Sequence, residues 1–135
     1  PDALKTNPDY TVAHYPHQGY SMVYYRDGVR YSGEAINGNY GDYALAFMCG
    51  DQPLTVITTD LKNGKTLLVF KESYGNAFIP YMIDYFERIV VVDIRETVPS
   101  VASLVEEYDV TDALIINNCQ GAVSLCSNLE SRALS

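Results

Sequence analysis

Tryptophan is absent from the chain, histidine occurs twice and cysteine three times. Cys49, Cys119 and Cys126 are an odd number with neither CxxC nor Cys/His spacing, so they form neither a disulfide scaffold nor a zinc site. Buried free thiols are the default reading, with a Cys119–Cys126 bond open if the fold brings the two together. Positive charge is also scarce: nine Lys and Arg stand against 17 Asp and Glu, for a net charge of −8. The basic residues are scattered and never cluster beyond KNGK, which excludes a nucleic-acid backbone as partner. Apolar runs are short, such as Ile89–Val92 and Ala113–Ile116. A spanning helix needs about 20 apolar residues, so no membrane span is expected. The glycines of NGNYGDY carry no phosphate-loop spacing and no GxGxxG occurs, so a nucleotide site is not expected either. No repeat or low-complexity tract is visible, and no cofactor or metal is implied. The opening PDALKTNPDY has neither Met nor a signal-like stretch, and the chain reads as processed or as a piece of something longer.

What is present suits a globular domain. The 135 residues are 47% hydrophobic and suffice for one buried core. Their character changes near residue 65. Eight of the twelve Tyr precede residue 44, in a stretch of residues 1–64 that reads as short strands, turns and loops. SMVYYRDGVRYSG has the form of a hairpin with Asp27-Gly28 as its loop, and ALAFMCG and PLTVITT are further extended segments of unassigned order. Tyr-rich surface can stack on sugars, although Tyr is also common on half-buried strands.

Beyond residue 65, TLLVFK is an apolar run of the kind covered on both faces. Phe78, Met82, Ile83 and Phe86 then fall on one helical face, and Pro80 places the start of that helix near Asn76 or Ala77. RIVVVDIR predicts a second buried strand. TVPSVASLVEEYD predicts a second helix, striped by Val101, Leu104, Val105 and Tyr108, with Asp109 turning the chain out of it. DALIINN predicts a third strand, and the tail AVSLCSNLESRALS is left open between a last helix and a frayed end. This order predicts an α/β fold: a parallel, flavodoxin-like sheet with flanking helices, βαβαβ over residues 65–118, preceded by the Tyr-rich segment.

Sites in such sheets form beyond the carboxyl ends of the strands. Those ends bring Lys71, Glu72 and Ser73 to one edge with Asp93 and Arg95 and with Asn117 and Asn118. Ser73, at a strand-to-turn junction, is the candidate nucleophile, and a turn or cap hydroxyl is its plainer reading. Backbone N–H groups of Tyr74 and Gly75 are candidates to stabilise an oxyanion, while Asn76 can add its amide or cap the helix. A base is not evident. His14 and His17 lie far away in sequence, and Lys71 reaches Ser73 only if the two share a strand face by the two-residue period. Asp93 and Arg95 either pair with each other or bind substrate, and Asn117 and Asn118 satisfy either loop backbone or a ligand hydroxyl.

Four stretches, GDYALAFMCGDQPLTVI, KTLLVFKESYGNAFIPYM, RIVVVDIRE and VTDALIINN, together resemble the carboxyl-terminal part of DHHW-type proteins. These are bacterial envelope or secreted proteins related to SGNH hydrolases and to alginate O-acetylation enzymes. The family's Lys-Asp-Ser-Tyr-Gly-Asn pattern falls on Lys71 to Asn76, with Glu72 one methylene longer than the Asp. Its Asp-x-Arg falls on Asp93 and Arg95, and Thr-Asp-hydrophobic runs from Thr111 and Asp112 to Asn117 and Asn118. The resemblance implies that Ser73 is the nucleophile, with its Asp and His partners in an upstream Asp-His-His-Trp motif that this sequence lacks. It also implies an SGNH-like domain or its carboxyl-terminal fragment, located outside the cell or in its envelope.

The expected activity is that of a serine esterase or O-acetyltransferase on an acylated polysaccharide, incomplete in this chain alone. The alternative is a non-catalytic glycan-binding or structural module. An exposed sheet edge would invite a homodimer.

Overall fold

The computed structural model describes residues 12–38, 43–96, 99–119 and 122. Two strands, β1 (Tyr20–Arg26) and β2 (Val29–Gly33), form the hairpin expected around Asp27-Gly28. Both loop residues have positive φ, 51° and 74°, the requirement of a two-residue turn that follows strand twist. A single turn, α1 (Tyr43–Ala46), then leads to β3 (Leu54–Thr59). After it come β4 (Thr66–Lys71), β5 (Arg88–Asp93), helix α2 (Val101–Tyr108) and β6 (Asp112–Ile116).

The six strands among the described residues join one sheet in the order β2-β1-β3-β5-β4-β6. This corrects the expected fold class. Only β5, β4 and β6 run parallel, whereas β3 pairs antiparallel with β5 and the β1–β2 hairpin continues antiparallel from β3. The Tyr-rich segment is therefore half of the same sheet, and the protein is a β-rich mixed sheet rather than a parallel sheet flanked by helices. One of the two expected helices is also absent. Residues Ser73–Ala77 and Ile79–Met82 form two 3₁₀ turns instead. Gly75, Asn76, Pro80 and a succession of aromatics give this stretch poor helix propensity, and tight i→i+3 bonds such as Phe78 N–H to Gly75 O (3.0 Å) replace the α-ladder.

β4 is buried at every residue, which explains its unbroken apolar run. Leu67, Val69, Ile89 and Val91 face Ile79 and Ile83 of the 3₁₀ segment, with Met22, Met48 and Ile57. On the other face Leu68, Phe70, Val90 and Val92 meet Leu104 of α2. Ser100 caps α2 by accepting the Ser103 N–H at 3.2 Å, and Asp109 ends it at φ 51°. Val105, placed on the buried stripe by its spacing, is exposed. The β4–β5 and β5–β6 connections thus leave adjacent strands toward opposite faces, and a crevice opens between their carboxyl ends. No helix among the described residues is long and apolar enough to cross a membrane. The tail beyond Ala122, with Cys126, lies outside the described residues, so the Cys119–Cys126 bond does as well.

Candidate active site

Register fixes the floor of the crevice. Lys71 stands opposite Asp93 on one side and Ile116 on the other, so Glu72, Ile94 and Asn117 are the first residues past the sheet. Ser73 follows at the start of the 3₁₀ turn and is exposed. It lines a pocket of about 200 Å³ with Leu45, Phe47, Gly50, Asp51, Asn76 and Ala77.

Asp51, which the sequence did not single out, organises this pocket. Because β3 is antiparallel to β5, its amino end lies at the same edge as the carboxyl ends of β4 and β5, and the residues before it project into the crevice. Met48, Cys49 and Gly50 precede Asp51 with successive φ values of 57°, 56° and 81°. For the two non-glycine residues this left-handed conformation costs on the order of 1 kcal/mol each. Gln52, itself buried, ties the loop by donating to Cys49 O at 2.7 Å and accepting from Arg26 Nε at 3.2 Å.

Four charges interlock beneath the pocket. Lys71 Nζ, on a residue 2% exposed, donates to Asp51 Oδ1 at 2.9 Å and lies 3.4 Å from Asp93 Oδ2. Arg95 grips Asp93 through Nε (2.9 Å), Nη2 (2.6 Å) and its backbone N–H (3.0 Å), and its Nη2 also reaches Asp51. Asn76 Nδ2 donates to Asp51 Oδ1 at 2.7 Å. Burial pushes the Asp51 carboxyl up, but hydrogen bonds from Lys71, Arg95 and Asn76 outweigh it and hold the group below the usual carboxylate range. Asp93 behaves alike: burial raises it, but the Arg95 hydrogen bonds with the Lys71 charge outweigh that and hold it below the usual carboxylate range. The hydrogen bond to Asp93 in turn raises the Arg95 guanidinium.

Several candidate roles change in this setting. Lys71 and Ser73 do not share a strand face, because β4 ends at Lys71, and the Lys71 ammonium faces two carboxylates. The Asn76 amide is committed to Asp51, and the Gly75 N–H to Glu72 O at 2.9 Å. Among the oxyanion candidates, the Tyr74 N–H remains in the opening of the turn, where no intrahelical carbonyl is available. Gly75 is required for space: a Cβ there would lie 2.6 Å from Lys71 Cβ. Asp93 and Arg95 pair directly. Asn117 is half-buried with both amide atoms unpartnered, and Asn118 is half-buried beside it. The Ser73 hydroxyl itself donates to Glu72 Oε2 at 3.2 Å.

The histidines lie elsewhere. His17 Nδ1 is 3.0 Å from Asp84 Oδ2, and the His14 ring centroid is 6.0 Å from that of Tyr81. Both line a second groove, of about 450 Å³, walled by Tyr15, Phe78, Tyr81 and Tyr85. Among the described residues no cluster of His, Cys, Asp or Glu is arranged to hold a metal.

The family described as DHHW protein matches residues 18–92, more than half of the chain. The crystal structure of a DHHW family protein from Eubacterium siraeum superposes with a TM-score of 0.83 at 30% identity, over 100% of this chain and 47% of that one. This chain therefore spans about half the length of that relative. Bacillus cereus PatB1, solved with a sulfonyl adduct, shares the fold at a TM-score of 0.64 and 20% identity, over 75% of this chain and 36% of its own. A further PatB1 structure aligns at 19% identity with the same TM-score of 0.64. No curated protein matches the sequence.

Proposed function

The chain belongs to the DHHW family, and from that premise we propose that it is the serine-bearing part of an SGNH-like enzyme. The enzyme hydrolyses or transfers O-acyl groups of a polysaccharide in the cell envelope or outside the cell. The observation that carries this reading is the exposed Ser73 hydroxyl at the carboxyl end of a fully buried parallel strand, where adjacent connections part. Ser73 Oγ attacks the acyl carbonyl, and the N–H of Tyr74, the residue after the nucleophile, receives the developing oxyanion. The Asp51–Lys71–Asp93–Arg95 network holds the pocket floor rigid rather than reacting. Fold likeness to PatB1 supports this assignment.

The test is covalent labelling of the full-length protein with a fluorophosphonate, and with a sulfonyl fluoride in parallel. Labelling is expected to map to Ser73 and to vanish in Ser73→Ala. Equal labelling of the variant, or none of the wild type, rejects the assignment.

A second reading, a glycan-binding module without catalysis, is favoured by the exposed aromatics Tyr74, Phe78, Tyr81 and Tyr85 with Tyr15. Four of these rings follow Ser73; in the Tyr-rich first third Tyr15 and Tyr31 are exposed too, whereas Tyr20 and Tyr24 pack against the core. Titration with envelope oligosaccharides separates the readings: binding lost in Tyr81→Ala and Tyr85→Ala, with no Ser73 labelling at all, favours the module.

A further inference from the structure

The connection that carries Ser73 lines two openings. Ala77 borders the serine pocket, and Phe78, the next residue, borders the second groove. At about 450 Å³ that groove falls within the range of ligand clefts, about 300–1,000 Å³. Along it stand Phe78, Tyr81 and Tyr85, from the 3₁₀ segment and the turn after it, with Tyr15 from the stretch before β1. All four rings are exposed. Large apolar side chains left together at a surface mark a place where something binds.

Hydrogen bonds hold both walls of the groove. Asp84 clamps them together: Oδ1 accepts the backbone N–H groups of His17 (2.8 Å) and Gln18 (3.0 Å), and Oδ2 meets His17 Nδ1 at 3.0 Å. On the opposite wall Tyr81 N–H bonds Phe78 O at 3.1 Å, Tyr85 N–H bonds Met82 O at 3.0 Å, and Asn63 Nδ2 bonds Tyr85 O at 3.0 Å. Rings on so fixed a backbone lose little freedom when a ligand arrives, which favours affinity. The lining also specifies the occupant. Neither Lys nor Arg is among the described residues that line it, Asp84 has both oxygens engaged, and the net charge of the chain is −8, so a polyanion is disfavoured. Flat rings with polar tips suit instead the C–H face of a pyranose, whose hydroxyls project around its edge.

We propose that this groove is a binding subsite for an uncharged stretch of sugar chain, which stacks on Tyr81 and Tyr85. The inference rests on the polysaccharide substrate of the reading above and assigns where part of that chain lies. Because Ala77 and Phe78 are consecutive, the groove and the serine pocket share the 3₁₀ segment as a common wall. A chain seated on the rings is thereby held beside the opening in which Ser73 stands, and binding energy gained away from the reacting carbonyl serves to position it.

The experiment measures equilibrium binding of the pentamers of N-acetylglucosamine and of glucose to the full-length protein carrying Ser73→Ala, so that turnover does not interfere. A galacturonate pentamer is the anionic control. Tyr81→Ala and Tyr85→Ala are each expected to weaken binding of an uncharged pentamer by about tenfold. Tyr81→Phe and Tyr85→Phe are expected to stay within about threefold, because the ring rather than the hydroxyl carries the stacking. Circular dichroism and a thermal melt of each variant report on the fold. No binding of either uncharged pentamer, unaltered binding in both Ala variants, or preference for galacturonate overturns the proposal. Ala variants that bind normally but melt at lower temperature overturn it as well, since they place the rest of the full-length protein over the rings. Ring-dependent binding without any Ser73-dependent labelling of the wild type sustains the groove and defeats the serine assignment alone.

Discussion

An ammonium group is strongly hydrated, and Lys71 surrenders nearly all of that water, being 2% exposed. Asp93, 0% exposed, and the more open Asp51 replace it. Removing one partner of such a buried pair leaves an uncompensated charge, which typically costs about 3–5 kcal/mol. Asp93→Asn is therefore expected to destabilise the protein toward the lower end of that range, because Asp51 still faces Lys71. Urea unfolding checks this, and a loss under about 1 kcal/mol would mean that solvent already screens the pair. Residue identity alone exposed part of this network. Lys71, Asp93 and Arg95 were legible because each sits where an apolar run stops. Asp51 was not, since it precedes its strand, and only the antiparallel placement of β3, set by pairing with a strand more than thirty residues later, brings it to the site.

At the level of elements, the two crossovers have separate tasks. The 3₁₀ segment anchors Ile79 and Ile83 on one face of the sheet and carries Ser73 at its start, whereas α2 covers the other face through Leu104. Ile83→Ala and Leu104→Ala each remove a fully buried side chain and are each expected to cost about 2–5 kcal/mol. Their effects on the site should diverge. Loosening the 3₁₀ segment displaces Ser73 and slows its labelling, while Leu104→Ala leaves the labelling rate of the folded protein unchanged. Equal labelling rates in the two variants would uncouple the segment from the site. The same contrast explains what was legible here. Strand β4, the Asp27-Gly28 hairpin and capped α2 carry their signals locally. The apolar spacing of residues 78–86 is shared by an α-helix and by paired 3₁₀ turns anchored at Ile79 and Ile83, and Gly75 and Pro80 tip the balance toward the turns. Antiparallel pairing of β3 with β5 leaves no local mark at all, because strand direction within a sheet is decided by the chain's path between the strands.

For the whole molecule, the strand-end network makes stability depend on pH. Asp51 and Asp93 both titrate below the ordinary 3.8 in the folded protein. Asp84 does too, because its hydrogen bonds with His17 and Gln18 outweigh the opposing effect of burial. A depressed folded pKa means that the unfolded chain takes up its proton first as pH falls. The stabilisation is complete above the unfolded value and disappears as pH drops through the lower folded values. Asp84 contributes little, since its partner His17 has a side chain 91% exposed and the pair is screened by water. The thermal midpoint is therefore expected to stay level from neutral pH to about pH 5 and to fall below about pH 4. The double variant Asp51→Asn/Asp93→Asn begins less stable at neutral pH and shows a shallower acid decline, because those two carboxylates no longer differ between the folded and unfolded states. Differential scanning calorimetry across this range provides the check. A parallel acid decline in the wild type and the double variant would place the acid sensitivity in other carboxylates and remove the network from its assigned part in stability.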